Sequence, residues 1–393
     1  MVSLGGLAVL VVAAVASLFM AWAIGAGSSG STPFAPAVGA NAISVMRAGF
    51  IVGVLGLAGA VLQGANVSEA VGTELIYGVT LTPLAVVVAL ITAAGLVAIG
   101  VFAGYPIATA FTVTGAVVGT GLAMGGGPAW AKYQQIVSLW IAVPFVGGAI
   151  AYATARLLRE VVDEAVAIPF LAGLVGALIA NVEFVLLGPS DVSESLSTWV
   201  GVNTGLSPTV ATAAVTAAAF LAAAGAVRWD VTRDEAAGQR HFLLVLGGLV
   251  AFSAGGSQVG LAVGPVLPLV GDSIPITYVL LGGGIGLLVG SWTGAPRMIK
   301  ALAQDYSSLG PRRSIAALIP SFAIAQAAVF LGVPVSFNEI IVSAIIGSGY
   351  AAGGGGVSRE KMVKTVAAWV GSLALAFGVS YGAFSALELL GLS

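Results

Sequence analysis

Only 8% of the 393 residues are charged and 59% are hydrophobic, with a mean hydropathy of +1.07. Too little polar surface exists to coat a soluble globule, so lipid must be the solvent. The net charge of −2, with no basic stripe, excludes a nucleic-acid partner, and the absence of cysteine excludes disulfides, thiolate chemistry and Cys-based metal sites.

The first apolar run, 5–25, lacks the basic start of a signal peptide and is read as a spanning helix. A Gly/Ser-rich piece at 27–46 follows, broken by Pro33 and Pro36. Spans are then expected at 48–64, 82–103, 105–124 and 136–158, and two linking spans at 167–187 and 208–227. A second series lies at 240–256, 276–295, 314–332, 334–352 and 365–390, with another broken piece at 257–274 that holds Pro265 and Pro268. Both broken pieces predict re-entrant hairpins, because irregular backbone at membrane depth survives only where protein or a water-filled cavity surrounds it.

Charge tests this layout. If the hairpins return to the side they left and every other span crosses, 13 of the 14 basic residues fall on one side, from Arg47 and Arg156 through Arg312 and Arg313 to Lys364. Only Lys132 falls on the other, beside the acidic Glu69, Glu74, Asp191 and Glu194. The asymmetry assigns the basic side to the cytoplasm of a cell membrane and both termini to the exterior.

Three anchors recur about 229 residues apart. Gly104-Tyr105-Pro106, followed by Gly119-Thr120-Gly121, matches Gly332-Val333-Pro334 followed by Gly347-Ser348-Gly349. Gly25 matches Gly255, and Trp140 matches Trp369. The expected fold is an all-α polytopic membrane protein of two inverted repeats, residues 1–160 and 236–393, each with five spans and a re-entrant hairpin. Two spans within 161–235 join them, and the odd crossing count turns the second repeat upside down. Inverted repeats with discontinuous helices are the architecture of many secondary transporters.

The hairpin sequences indicate a ligand class. Gly25 to Pro33 and Ser253 to Gly260 combine glycines with hydroxyl and amide donors ahead of a helical piece. A helix N-terminus offers free N–H groups and partial positive charge, so two such ends would cradle a tetrahedral anion. Ser28, Ser29, Ser31, Ser257 and Gln258 are the candidate donors; the bland alternative is that small residues merely let helices pack closely. Glu339, beside Asn338, is the most conspicuous carboxylate within a span and the candidate for coupling, against the alternative that it snorkels to the interface. Gln326 reads as interhelical glue. His241, the only histidine, has no ligand cluster, so no metal site, cofactor or enzymatic centre is expected.

These residues resemble the inorganic phosphate transporter (PiT) family, whose halves each carry a GANDVANA-like motif and a later G-x-P-V-S-T-T-H stretch. Ser253 to Pro265 (SAGGSQVGLAVGP) aligns with the first motif without gaps, and Gly25 to Gly39 aligns with one insertion. Gly332 to Ser336 reproduces G-x-P-V-S, and Gly104 to Thr109 is a weaker copy. The resemblance implies Na⁺- or H⁺-coupled uptake of inorganic phosphate, with a sulfate permease branch. Ser257-Gln258 replaces the family's Asn-Asp pair, and Phe337-Asn338-Glu339 replaces Thr-Thr-His, so the motif carboxylates that bear on Na⁺ are gone. Donors without carboxylates favour fully ionised sulfate; the family, and Glu339 as an acceptor for a P–OH, favour phosphate. The reading is a permease for an inorganic anion, phosphate ahead of sulfate, with H⁺ or Na⁺ as coupling ion. The rival classes are an uncoupled anion channel and a non-transporting receptor or scaffold. A homo-oligomer is compatible with all three.

Overall fold

The computed structural model describes residues 4–188, 193–351, 353 and 357–392; Asp191 lies outside them. A chain dissolved in lipid must satisfy its backbone internally, and this one does so almost wholly by helix. The helices of the first part are α1 (Leu4–Gly27), α2 (Ala35–Gly39), α3 (Val45–Gln63), α4 (Ala65–Thr73), α5 (Pro83–Ala103), α6 (Thr109–Ala123) and α7 (Trp130–Arg156). Then come α8 (Glu164–Asn181), α9 (Leu196–Thr204) and α10 (Pro208–Arg233). The remainder are α11 (Glu235–Val263), α12 (Leu267–Val270), α13 (Ile276–Thr293), α14 (Ala295–Asp305), α15 (Pro311–Phe330), α16 (Phe337–Tyr350) and α17 (Arg359–Leu389). Among the described residues nine helices are long and apolar enough to cross a membrane, and Thr109–Ala123 and Glu164–Ile179 are shorter apolar stretches. Strand is confined to two ladders of loop residues, β1 (Ile76–Tyr77) with β2 (Gly127–Pro128) and β3 (Glu183–Phe184) with β4 (Glu194–Ser195).

Loop contacts sort the helix ends into two faces. On one, Arg240 donates to Ala42 O at 2.9 Å, Arg297 to Phe102 O at 3.1 Å, Lys361 pairs with Asp305 at 2.9 Å, and Arg312 pairs with Glu164. On the other, Lys132 pairs with Glu74 at 2.7 Å and β1 joins β2.

Neither broken piece forms the re-entrant hairpin expected of it. α1 stops at Gly27, turns cover residues 28–34, and α2 carries the chain onward to the arginine-rich face. There Pro36 O accepts from Ser314 Oγ at 2.7 Å, so segment 27–46 completes the crossing that α1 begins. Pro33 lies within the turns rather than at the helix end, and Pro36 suits the first turn of α2. The second motif lies inside α11, which runs unbroken through Ser253–Gly260 to Val263 before a 3₁₀ turn and α12 reach α4. Regular i→i−4 bonding satisfies that backbone without help, whereas a break at depth would need outside partners.

Broken backbone occurs instead where the Gly-x-Pro copies lie. α5 ends at Gly104 (φ 74°) and α15 hands over to Gly332 (φ 58°), left-handed positions that suit glycine. Extended segments 105–108 and 333–336 then lead into α6 and α16. With 15 and 14 residues these helices are about 22 and 21 Å long, short of the ~30 Å hydrocarbon core, so both begin at depth.

The packing comes in exchanged pairs. α1 lies on α5 and α13, and α11 lies on α15 and α3; α6 packs on α17, and α16 on α7. Glycine makes the contacts close: a side chain at Gly347 would strike the backbone of Gly148, and one at Gly255 the backbone of Gly56. Gly225, on the outer face of α10, has nothing within 4 Å. Gly347→Val is expected to lower stability by about 1–3 kcal/mol through overpacking, read as a drop in the thermal midpoint by size exclusion, while Gly225→Val leaves it unchanged.

Candidate functional site

The two extended segments leave carbonyls without a helical partner, and side chains from other elements take several of them. Trp140 of α7 donates Nε1–H to Pro334 O at 2.9 Å, and Trp369 of α17 donates to Pro106 O at 2.8 Å. Lys132 donates to Gly332 O at 3.2 Å, which accounts for the one basic residue on the sparsely charged face. Phe111 stacks on Trp140 with ring centroids 3.8 Å apart and holds the indole in place.

Inside this frame the ends of α1, α6 and α16 meet the middle of α11. Gln258 Nε2 donates to Val335 O at 2.6 Å, and its Oε1 accepts from Thr109 Oγ1 at 2.7 Å and from Ser28 Oγ at 3.3 Å. Asn338 Nδ2 donates to Gly27 O at 2.9 Å and to Ile107 O at 2.7 Å. Carbonyls only accept, so these contacts fix the amide orientation and turn Asn338 Oδ1 away from them. Ser28, Thr109, Ser257, Gln258, Ser336 and Asn338 are all 0% exposed.

Unused polar atoms mark this region. Seven buried side-chain polar atoms lack a partner among the described residues, and five belong here: Ser29 Oγ, Ser257 Oγ, Ser336 Oγ, Asn338 Oδ1 and Glu339 Oε2. Each such atom costs about 1–3 kcal/mol, so a ligand that engages them is favoured. The helix starts add donors, since first-turn N–H groups have no intrahelical partner and neither N-cap residue, Ala108 or Ser336, caps with its side chain. Three hydroxyls and two helix N-termini suit an oxyanion, while two bare side-chain oxygens suit a cation or proton.

Of the residues singled out from sequence, Ser28, Gln258 and Asn338 are joined by these bonds, and Ser29 and Ser257 adjoin them in the chain. Gln258 is a brace whose bonds tie three elements, and it sits mid-helix rather than at a helix start. Ser31 and Thr32 donate to Ser28 O at 3.2 and 3.0 Å, so their hydroxyls serve the local turn. Glu339, in the first turn of α16, is 1% exposed and pairs with no cation among the described residues; it does not snorkel. Gln326 does join helices, bonding Ser253 Oγ at 2.6 Å and Gln63 Oε1 at 3.2 Å. Sequence reasoning missed Thr109. The repeat offset that pairs Trp140 with Trp369 also pairs Thr109 with Asn338, and that signal would have found it.

A model described as the phosphate transporter family matches residues 24–380. A Thermococcus kodakarensis protein provisionally named a phosphate permease is 25% identical over 97% of this chain and 98% of its own length. The chloroplastic inorganic phosphate transporter 2-1 of Arabidopsis thaliana is 24% identical over 90% of this chain and 68% of its own. A solved structure named the sodium-dependent phosphate transporter aligns with a TM-score of 0.82 and 25% identity, over 98% of this chain and 100% of that one.

Asn338→Leu removes both donors to Gly27 O and Ile107 O while keeping a branched side chain. It is expected to cost about 1–3 kcal/mol for each orphaned carbonyl, seen as a marked fall in thermal midpoint. Ser257→Ala removes a hydroxyl without a partner and is expected to leave the midpoint unchanged or raised.

Proposed function

This chain belongs to the phosphate transporter family, and we propose from that premise that it is a multi-pass permease carrying inorganic phosphate by alternating access. The observation that supports this reading is the cluster of unpartnered buried hydroxyls beside two helix N-termini. Ser29, Ser257 and Ser336 with the first-turn N–H groups of α6 and α16 hold the phosphate oxygens. Ser28, Thr109, Gln258 and Asn338 brace the backbone around them. Asn338 Oδ1 and Glu339 Oε2 take the coupling ion, H⁺ or Na⁺, or accept the P–OH proton of monohydrogen phosphate. A carboxylate buried without a cation is costly at membrane depth, which is why Glu339 is assigned to coupling.

In this reading residues 1–160 and 236–393 are inverted repeats joined by 161–235, the arginine-rich face is cytoplasmic, and both termini are external. The exchanged packing pairs and the reciprocal tryptophan bonds support the repeat. The burial of every bracing residue favours a carrier with a closed site over an open channel.

The test is uptake of [³²P]phosphate into proteoliposomes under imposed inward H⁺ or Na⁺ gradients. Wild type is expected to accumulate phosphate above equilibrium, and Glu339→Gln to lose about 10-fold or more of that accumulation, equivalent to at least ~1.4 kcal/mol. Equilibration without accumulation in folded protein would sink the coupled reading. Accumulation of [³⁵S]sulfate but not phosphate would overturn the substrate.

A further inference from the structure

The buried site leaves unexplained a concentration of arginines at one mouth of the molecule. A cavity of about 770 Å³ opens on the arginine-rich face. Its walls include Arg159, Arg312, Arg313, Glu164, Gln239 and Ser348. They come from the π-helical turn after α7 (Leu157–Val161), the first turns of α8, α11 and α15, and the last turn of α16.

Three guanidiniums, Arg159, Arg312 and Arg313, face two carboxylates, Glu164 and Glu235, in these walls. Glu164 pairs with Arg312 and accepts from Gln239 Nε2 at 2.6 Å, and Gln239 also donates to Glu235 at 3.2 Å. Arg313 donates only to Ser308, at 2.6 Å to its carbonyl and 2.9 Å to its hydroxyl, and Arg159 reaches Ala351 O at 3.5 Å. Neither meets a carboxylate among the described residues. Arg312 and Arg313 also sit in the first turn of α15, whose N-cap Gly310 supplies no side chain. The helix dipole there is positive, so two guanidiniums have the wrong sign for helix stability and the right sign for an anion.

The opposite mouth shows that the basic lining is not a requirement of the architecture. At the repeat offset, Val79, Thr80 and Leu81 correspond to Ser308, Leu309 and Gly310. Val79–Leu81 line a cavity of about 140 Å³ whose walls carry no charged residue.

We infer that the arginine-lined cavity is a second oxyanion site, distinct from the buried one, in which Arg159 and Arg313 grip a phosphate group. Guanidinium groups recognise phosphate oxygens through paired, charge-assisted hydrogen bonds. The cavity has room for a hydrated ion, so the same chemistry admits free inorganic phosphate or the phosphodiester of an anionic lipid.

The test is equilibrium dialysis of the full chain in detergent against [³²P]phosphate, with anionic lipid retention measured in parallel after exposure to phosphatidylglycerol vesicles. For free phosphate, Arg159→Gln with Arg313→Gln is expected to lose half of the saturating binding, and the corresponding double Lys variant to keep it at weaker affinity. Ser29→Ala with Ser257→Ala removes hydroxyls of the buried site only, so it is expected to affect the other half. Failure of one site is thereby told apart from failure of the other. If the occupant is lipid, phosphate binding is equal in wild type and the Gln variant, and retained phosphatidylglycerol falls in the variant alone. Equal phosphate binding and equal lipid retention in both would overturn the inference.

Discussion

The constraint on which the rest of this structure depends is that lipid offers no hydrogen bonds. Two stretches of chain abandon helix inside the membrane, and four of their carbonyls are taken by specific side chains from elsewhere. Asn338 serves Ile107, Gln258 serves Val335, and the two indoles serve Pro106 and Pro334. The polar residues at the centre are therefore scaffold first. The atoms the scaffold leaves unused stand out because most buried polar atoms have partners.

This distinction explains what could and could not be read from the sequence. The spans were legible because about 20 apolar residues are needed to cross and because charge sorts the loops. The place of each break was not. Gly25–Pro33 and Ser253–Gly260 look alike in composition, yet the first leaves helix at Gly27, six residues ahead of Pro33, while the second stays helical to Val263. The paired, uncapped helix N-termini expected at those motifs are found at α6 and α16 instead. Asn338 was visible beside Glu339, but its bonds to Gly27 and Ile107 join parts of the chain 311 and 231 residues apart, which no local pattern encodes. Thr109 hid because an ordinary threonine draws notice only through its repeat partner Asn338, and its bond to Gln258 spans 149 residues.

Close packing sets how tightly the site is held. Hydrophobic driving force is weak between helices in lipid, so contact must come from surfaces that fit. Gly56 with Gly255 and Gly148 with Gly347 bring backbones together on both sides of the centre. The long side chains that bridge the middle then need to span little distance. Glycine, which reads from composition as mere permissiveness, acts here as the point of close backbone approach between helices.

The tryptophan bonds have a consequence for how the chain is made. The carbonyl of Pro106 enters the membrane early in synthesis, yet its donor, Trp369, is translated 263 residues later on the last helix. Until α17 arrives, α6 lacks both its principal packing surface and the cap for the segment that leads into it. Biogenesis therefore cannot finish half by half. A nascent chain stalled before α17 keeps an open polar wound at membrane depth, the kind of feature by which quality-control proteases distinguish an unfinished membrane protein from a finished one.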